Sequence, residues 1–365
     1  MKVKFVDLKK ENDIIKKACL KKIGELTDSS AFTLGPEVQK FEKNFAGFCG
    51  TRFCLGVGSG TDALRTALLA CGIKEGDEVI TPPISYASTS LAIVHCGGKP
   101  VFVDVLENGN IDHAKIEAAI TKNTKAILVV HMYGNVCEMS RIKLIVKKYK
   151  LFLIDDCAHS HGASYKGKRA GSLADISCFS FYPTKNLGAW GDAGGITTND
   201  RQLYEKARLY KNYGELTQNY SLVIGYNSKL DTVQAVVLGE KLKYLKFWNK
   251  KRSVCAKSYV QSLKEVGDVQ TLQFSENCSY YNFPINTVHR DALQKFLKKR
   301  GVQTFVRYPL PIHLQRCFKY LGYKKGDFPV AEKHARTVLS LPFYPFLPEE
   351  SQKYVIDSVK KFFYE

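Results

Sequence analysis

Lys185 stands in the run Ser180-Phe181-Tyr182-Pro183-Thr184-Lys185-Asn186-Leu187-Gly188, at the end of the apolar segment Ile176–Phe181. Proline and repeated glycine end regular structure there, so a turn carries the lysine. A lysine on a rigid support suits Schiff-base chemistry with an aldehyde cofactor. Taken alone, it reads equally well as one surface lysine among many. Two further segments weigh against that. Tyr149–Ile154 reads as a short buried strand, and Asp155-Asp156-Cys157-Ala158-His159-Ser160-His161 follows at once. Carboxylates and an imidazole at the carboxyl end of a strand stand where open α/β sheets place ligands. Phe53–Gly58 then leads into Ser59-Gly60-Thr61-Asp62-Ala63-Leu64, with helical spacing of Ala63, Leu64, Ala67 and Leu68. Small residues opening a helix leave backbone N–H groups free for an anion such as a phosphate. Gly56, Gly58 and Gly60 spell GxGxG rather than GxGxxG, and Ser59 or Thr61 would serve equally as ordinary helix caps.

A lysine, an acid and a phosphate loop together suit pyridoxal 5'-phosphate, whose pyridine nitrogen stays protonated beside a carboxylate. The elements that must position them follow from the pattern. Glu78–Ile80, Pro100–Asp104, Ala126–Val130 and Leu151–Ile154 are short, nearly continuous apolar runs, as in parallel strands buried on both faces. Helical runs at Ile111–Ile120 and Ser140–Tyr149 lie between some of them, which predicts an α/β layered domain. A helix is expected over Glu11–Leu26 and a long one from Asp231 to about Arg252. Beyond these, strands are expected at Tyr280–Asn286 and Gln303–Tyr308, and helices at Arg290–Arg300 and Pro348–Phe363. Together these make a smaller α+β lobe. The expected division is 1–240 for a large lobe with an N-terminal arm and 241–365 for the small one.

These segments, with Gly225-Tyr226-Asn227-Ser228-Lys229-Leu230-Asp231 and Tyr308-Pro309-Leu310-Pro311-Ile312-His313, occur in the order found in one family. The chain resembles the DegT/DnrJ/EryC1/StrS pyridoxal-phosphate-dependent nucleotide-sugar aminotransferases over nearly its whole length. The resemblance implies a fold-type I transferase with a mostly parallel seven-stranded sheet between helices. It implies a homodimer with shared active sites. Lys185 would bond to the cofactor and move the proton, leaving pyridoxamine phosphate after the donor half-reaction. Asp156, rather than Asp155, would pair with the pyridinium; read alone, it is equally a capping aspartate. His159 would reach the cofactor's phenolic oxygen, although a lone histidine is more often a satisfied core residue. Tyr86 would stack on the pyridine. Gly60, Thr61 and Ser180 would bind the phosphate, joined by Asn227 of the other subunit. Lys229 replaces the family's usual arginine and loses its two-pronged contact. Arg307 replaces a common histidine and would meet a diphosphate or the donor's carboxylate, or else end a strand in solvent. Arg307, Tyr308 and His313 are the expected substrate-binding residues. The same motifs look most like enzymes acting on 3-keto sugars. The expected donor is L-glutamate and the acceptor a dTDP-3-keto-6-deoxyhexose, for an amino sugar of a surface glycan. A UDP-linked 3-keto uronate and a 4-keto-6-deoxyhexose are the alternatives.

Composition narrows the classes. The net charge is +19, from 54 Lys and Arg against 35 Asp and Glu. The basic residues are dispersed, with the densest runs at Lys241–Arg252 and Lys295–Arg300, and both read as solvated helix faces. A nucleic-acid-binding protein would cluster them within a recognisable module, so no nucleic acid is expected. A nicotinamide oxidoreductase would want a complete GxGxxG and an acid closing a strand about 20 residues on; Asp77 instead precedes its strand. Eleven scattered cysteines without CxxC pairs read as small buried hydrophobes in a reducing compartment. Asp155, Asp156, Cys157, His159 and His161 are the cluster to weigh for a metal, and a cofactor fits them better. With no apolar run near 20 residues and no secretion-type start, no membrane is expected and the address reads as cytoplasmic.

Overall fold

A computed structural model describes residues 1–365. The seven strands of the central sheet are β1 Phe53–Val57, β2 Glu78–Thr81, β3 Lys99–Phe102, β4 Thr124–Val130, β5 Phe152–Asp156, β6 Ile176–Ser180 and β7 Gly194–Thr198. Their order across the sheet is β1-β7-β6-β5-β4-β2-β3. β2/β3, β2/β4, β4/β5 and β5/β6 pair in parallel, while β7 runs antiparallel to both β1 and β6. One inverted strand brings the start of β7 to the edge where its neighbours end. That edge is where an open α/β sheet collects ligand sites.

Hydrophobic clusters cover both faces. Leu55, Val57, Leu128 and Ile154 pack on one side with α3 (Gly60–Ala70) and α4 (Ser88–His95). Ile127, Val129, Leu153 and Phe179 pack on the other with α2 (Pro36–Cys49). Strands buried on both faces need apolar residues at every position, which is why β2, β4 and β5 were readable as continuous runs.

The long helix expected from Asp231 is two helices, Thr232–Leu242 and Leu245–Ser262. At the junction Lys243 and Tyr244 bond back three residues, to Glu240 and Lys241, so the turn tightens and the axis breaks. The expected helix at Ile111–Ile120 shrinks to His113–Ile116 with a 3-10 turn after it. The small lobe has a three-stranded sheet, β8 Gln270–Thr271, β9 Phe283–Asn286 and β10 Val338–Leu341. Gln303–Tyr308 is no strand; one bridge, Phe305 to Ser340, is all that forms. Two features cross the expected boundary at 240/241. Val3 sits in the small-lobe cluster and pairs with Val302. Conversely, Tyr308, Ile312, Phe318 and Phe328 pack into the large-lobe cluster.

Candidate active site

One cavity of about 520 Å³ opens at the carboxyl edge of the sheet. It is built by the ends of β1, β5 and β6 and closed by residues from the small lobe.

The β1–α3 turn brings a helix start to one wall of the cavity. Ser59, in extended conformation, caps α3 by accepting the Asp62 N–H at 3.1 Å, and its hydroxyl meets the Asp62 carboxylate at 3.0 Å. Ser59 is therefore used locally, while the amides of Gly60 and Thr61 begin the helix without helical partners. A Cβ at Gly60 would stand 2.6 Å from Ser180 Cβ, so glycine is what lets the helix start and Ser180 approach each other. A Cβ at Gly194 would stand 2.2 Å from the Ser59 carbonyl. Gly60, Thr61 and Ser180 thus share one wall.

Asp156 closes β5 and faces the cavity; Asp155, one residue earlier, leaves the opposite face. The Asp156 carboxylate accepts the Ala158 N–H and the Thr89 hydroxyl, each at 3.0 Å. Burial pushes it above the usual carboxylate value, with those hydrogen bonds and Lys185 partly opposing. It forms no ion pair, so a cation entering the cavity would meet an uncompensated carboxylate. Asp155 is fully buried against His131 Nε2, at 3.2 Å. His131 Nδ1 accepts the Cys137 N–H at 3.3 Å, which leaves its proton on Nε2, donated to Asp155. The residues weighed for a metal therefore divide. Asp155 and Cys157 gather with His131 behind the strand, and burial pushes the Cys157 thiol up to about 12.

Lys185 comes from the turn after β6, where its N–H bonds Tyr182 O at 2.8 Å. Burial lowers its ammonium below the usual value; Tyr281 and Asp156 pull it back up, and Arg307 pushes it down. His159 Nδ1 accepts the Tyr133 N–H at 3.3 Å, so its proton is on Nε2, which faces the Tyr308 hydroxyl at 3.4 Å. Burial, reinforced by Lys185 and Arg307, keeps that ring well below its ordinary value and hence neutral. His161 is buried with neither ring nitrogen bonded, beside Phe179 and Phe181.

Tyr86 lines the cavity with 71% of its surface exposed, a ring free to face a ligand. Arg307 lines it too, its Nη2 donating to the Asn282 amide oxygen at 3.4 Å. Of the other two expected substrate residues, one lines the cavity and one does not. Tyr308 is buried with its hydroxyl on His159, a wall residue on the imidazole side. His313 is outside the cavity: the 3-10 turn Ile312–Leu314 buries it between Phe328 and Glu332, with Nε2 3.2 Å from the Glu332 carboxylate. Asn227 is exposed and outside its own chain's cavity, accepting from Lys229 Nζ at 3.3 Å. Two residues at the site were not singled out from sequence. Thr89 lies one helical turn after Ser85, and Tyr281 is one tyrosine of a pair in a segment read only as a strand.

Free amides at a helix start, a cradle that a Cβ would fill, a buried carboxylate lacking a cation and a cavity-facing lysine fit pyridoxal phosphate. These features and the sheet topology define the class: a fold-type I pyridoxal-phosphate enzyme. The chain belongs to the DegT/DnrJ/EryC1/StrS aminotransferase family, whose model matches residues 13–360. It is an aminotransferase and its cofactor is pyridoxal 5'-phosphate. It is 42% identical over 368 residues to a pleiotropic regulatory protein of Geobacillus stearothermophilus, covering 100% of this chain and 99% of that one. It is 40% identical to a dTDP-3-amino-3,6-dideoxy-alpha-D-galactopyranose transaminase of Aneurinibacillus thermoaerophilus, covering 99% and 100%. Among solved structures it is similar to S. venezuelae DesV, with TM-score 0.97, 37% identity, and 100% and 99% covered.

Proposed function

We propose that the protein transfers an amino group from L-glutamate to a nucleotide-linked keto sugar, a dTDP-3-keto-6-deoxyhexose, in the cytoplasm, for an amino sugar of a surface glycan. The likeness to a dTDP-3-amino-sugar transaminase supports the sugar class. The observation that carries the chemistry is Lys185 and Asp156 facing one cavity beside a helix start.

In this reading the Gly60 and Thr61 amides and the Ser180 hydroxyl bind the cofactor phosphate. Asp156 holds the proton on the ring nitrogen. His159, neutral, with its Nε2 proton shared with the Tyr308 hydroxyl, would lie toward the phenolic oxygen, and Tyr86 would cover the ring. When bound, the cofactor supplies an electron sink for the carbon that loses its proton. Lys185, once its amine is free, takes that proton and later returns one. Arg307 binds a carboxylate through charge-assisted hydrogen bonds. The same guanidinium gives a specific reason to keep a UDP-linked 3-keto uronate as the second acceptor. A 4-keto-6-deoxyhexose has no such residue in its favour.

We also propose a homodimer whose partner supplies Asn227. Leu216, Tyr220, Leu222 and Ile224 are half or more exposed just before Asn227, and Ile224 is 89% exposed, as expected of an interface patch. The two-lobe division at 240/241 belongs to the same reading, with the cavity between the lobes. The test is to load the enzyme with pyridoxamine phosphate, add 3-keto and 4-keto nucleotide sugars of both bases, and locate the new amine by NMR. An amine at C3 of a dTDP-6-deoxyhexose is the expected product. Amination of C4 alone, or of the uronate alone, sinks the assignment.

A further inference from the structure

Lys185 is an enclosed cation without a carboxylate of its own. It forms no ion pair. What lies against it is the ring of Tyr281, with Nζ 4.4 Å from the ring centroid. That ring is fixed from several directions. The Tyr281 N–H bonds the Tyr133 carbonyl at 2.9 Å, and its own carbonyl accepts from Arg252 Nη1 at 3.3 Å. Its hydroxyl meets Thr184 Oγ1 at 3.3 Å. His159 stacks on it at 4.2 Å, and the Arg307 guanidinium bears on it at 4.9 Å. Only 3% of Tyr281 is exposed.

We propose that Tyr281 is the positioning residue for Lys185: its π face seats the ammonium whenever that amine is free, aiming it into the cavity and setting how readily it sheds a proton. The inference rests on Lys185 being the cofactor-bearing lysine. The strength of the seat is what matters. A carboxylate in this enclosed place would hold the ammonium as an ion pair and keep the amine protonated. An aliphatic wall would give the cation nothing to rest on. A ring face attracts a cation by an intermediate amount. An amine that must lose a proton, regain one and lose it again is served by that middle ground. The hydroxyl end of Tyr281 acts on the same ammonium as well, by charge and by hydrogen bonding, beside the ring-face contact. Tyr281 is the first influence opposing the effect of burial on Lys185. Burial alone would raise the Tyr281 hydroxyl, but Lys185 and Arg307 draw it below its usual value.

The test uses cofactor-free full-length protein. Position 281 carries tyrosine, phenylalanine (Tyr281→Phe), then phenylalanine bearing one, two and three ring fluorines. Shape is kept while the negative face of the ring is drained. The readout is the rate of covalent capture of pyridoxal phosphate against pH, followed by absorbance and borohydride trapping at Lys185. In capture, the lysine nitrogen forms a double bond to the aldehyde carbon, and the carbonyl oxygen leaves as water with the two amine hydrogens. Tyr281→Phe keeps the ring face but removes the hydroxyl's upward pull on the ammonium, so the half-maximal pH falls, and phenylalanine is the baseline for the fluorine steps. Each fluorine then destabilises the ammonium, so the pH of half-maximal rate falls stepwise, by about one unit across the series, and the maximal rate falls as the amine loses its aim. One unchanged half-maximal pH from phenylalanine through the folded fluorinated variants overturns the proposal. If the trifluoro variant does not fold, the one- and two-fluorine steps decide in the same way. Failure of the unsubstituted protein to capture cofactor at Lys185 at any pH sinks the reading of Lys185, and this inference with it. Capture with a flat series sinks this inference alone.

Discussion

On β5 the side chains of Asp155 and Asp156 leave the strand on opposite faces, so adjacent carboxylates do different work. Asp156→Asn is expected to lower single-turnover deprotonation of glutamate by orders of magnitude while the melting temperature holds. Asp155→Asn is expected to lose about 1–3 kcal/mol of stability, because His131 then faces a poorer acceptor in the core, while turnover stays within a few-fold. Stopped-flow traces and denaturant melts separate the two; equal kinetic loss from both would undo the assignment. Lys185→Ala is expected to abolish turnover and the borohydride-sensitive visible band. Arg307→Gln is expected to raise the KM for glutamate by tenfold or more if it binds the donor's carboxylate; an unchanged KM returns Arg307 to a structural role. Lys185 and Asp156 were legible because their neighbours in sequence are also their setting in space. Tyr281 was not. Its place depends on the Tyr133–Gly134 turn, with φ of 57° and 93°, accepting N–H groups from Tyr281 and Ser279. His313 misled because Tyr-Pro-Leu-Pro reads as a loop facing the cleft, whereas the turn after Pro311 buries the imidazole against Glu332.

At the level of elements, the parallel strands announced themselves by burial on both faces, and the glycines by the contacts they permit. Gly60→Ala is expected to weaken cofactor binding strongly, since the new methyl meets Ser180 Cβ at 2.6 Å. Equilibrium titration with pyridoxal phosphate measures this, with the far-ultraviolet dichroism unchanged. The break between Thr232–Leu242 and Leu245–Ser262 was invisible, because no proline or glycine marks it. A contact between residues far apart in sequence was equally hidden. Asp104, just past β3, accepts the N–H groups of Val330 and Ala331 at 3.1 and 3.0 Å and so caps the helix Pro329–Thr337 from across the molecule. Asp104→Ala is expected to cost about 2 kcal/mol, read as a shift in the urea midpoint at constant slope.

For the whole molecule, buried histidines set the behaviour in acid. His334 is held by the Tyr133 hydroxyl at 2.9 Å, and burial depresses its ring to about 4. The unfolded chain binds that proton near pH 6.5 and the folded one does not, so stability is full above about pH 6.5 and falls as pH drops toward 4. At pH 5 the loss from this residue is about 2 kcal/mol. Urea midpoints from pH 8 to 5 are expected to decline, and His334→Gln to flatten the decline. An equally steep fall in the variant would move the effect elsewhere. Net charge, by contrast, was readable at once and says nothing of the fold.

Val3 lies between the Gly301 carbonyl and the Gln303 N–H, 2.9 Å from each, inside a cluster otherwise drawn from Ala256 onward. During translation the central sheet can assemble while the polypeptide is still emerging. The small lobe must wait some three hundred residues for the partner of its earliest strip. Until then Val3 has no partner, and replacing it with a polar residue would disturb the last-formed part of the molecule rather than the first.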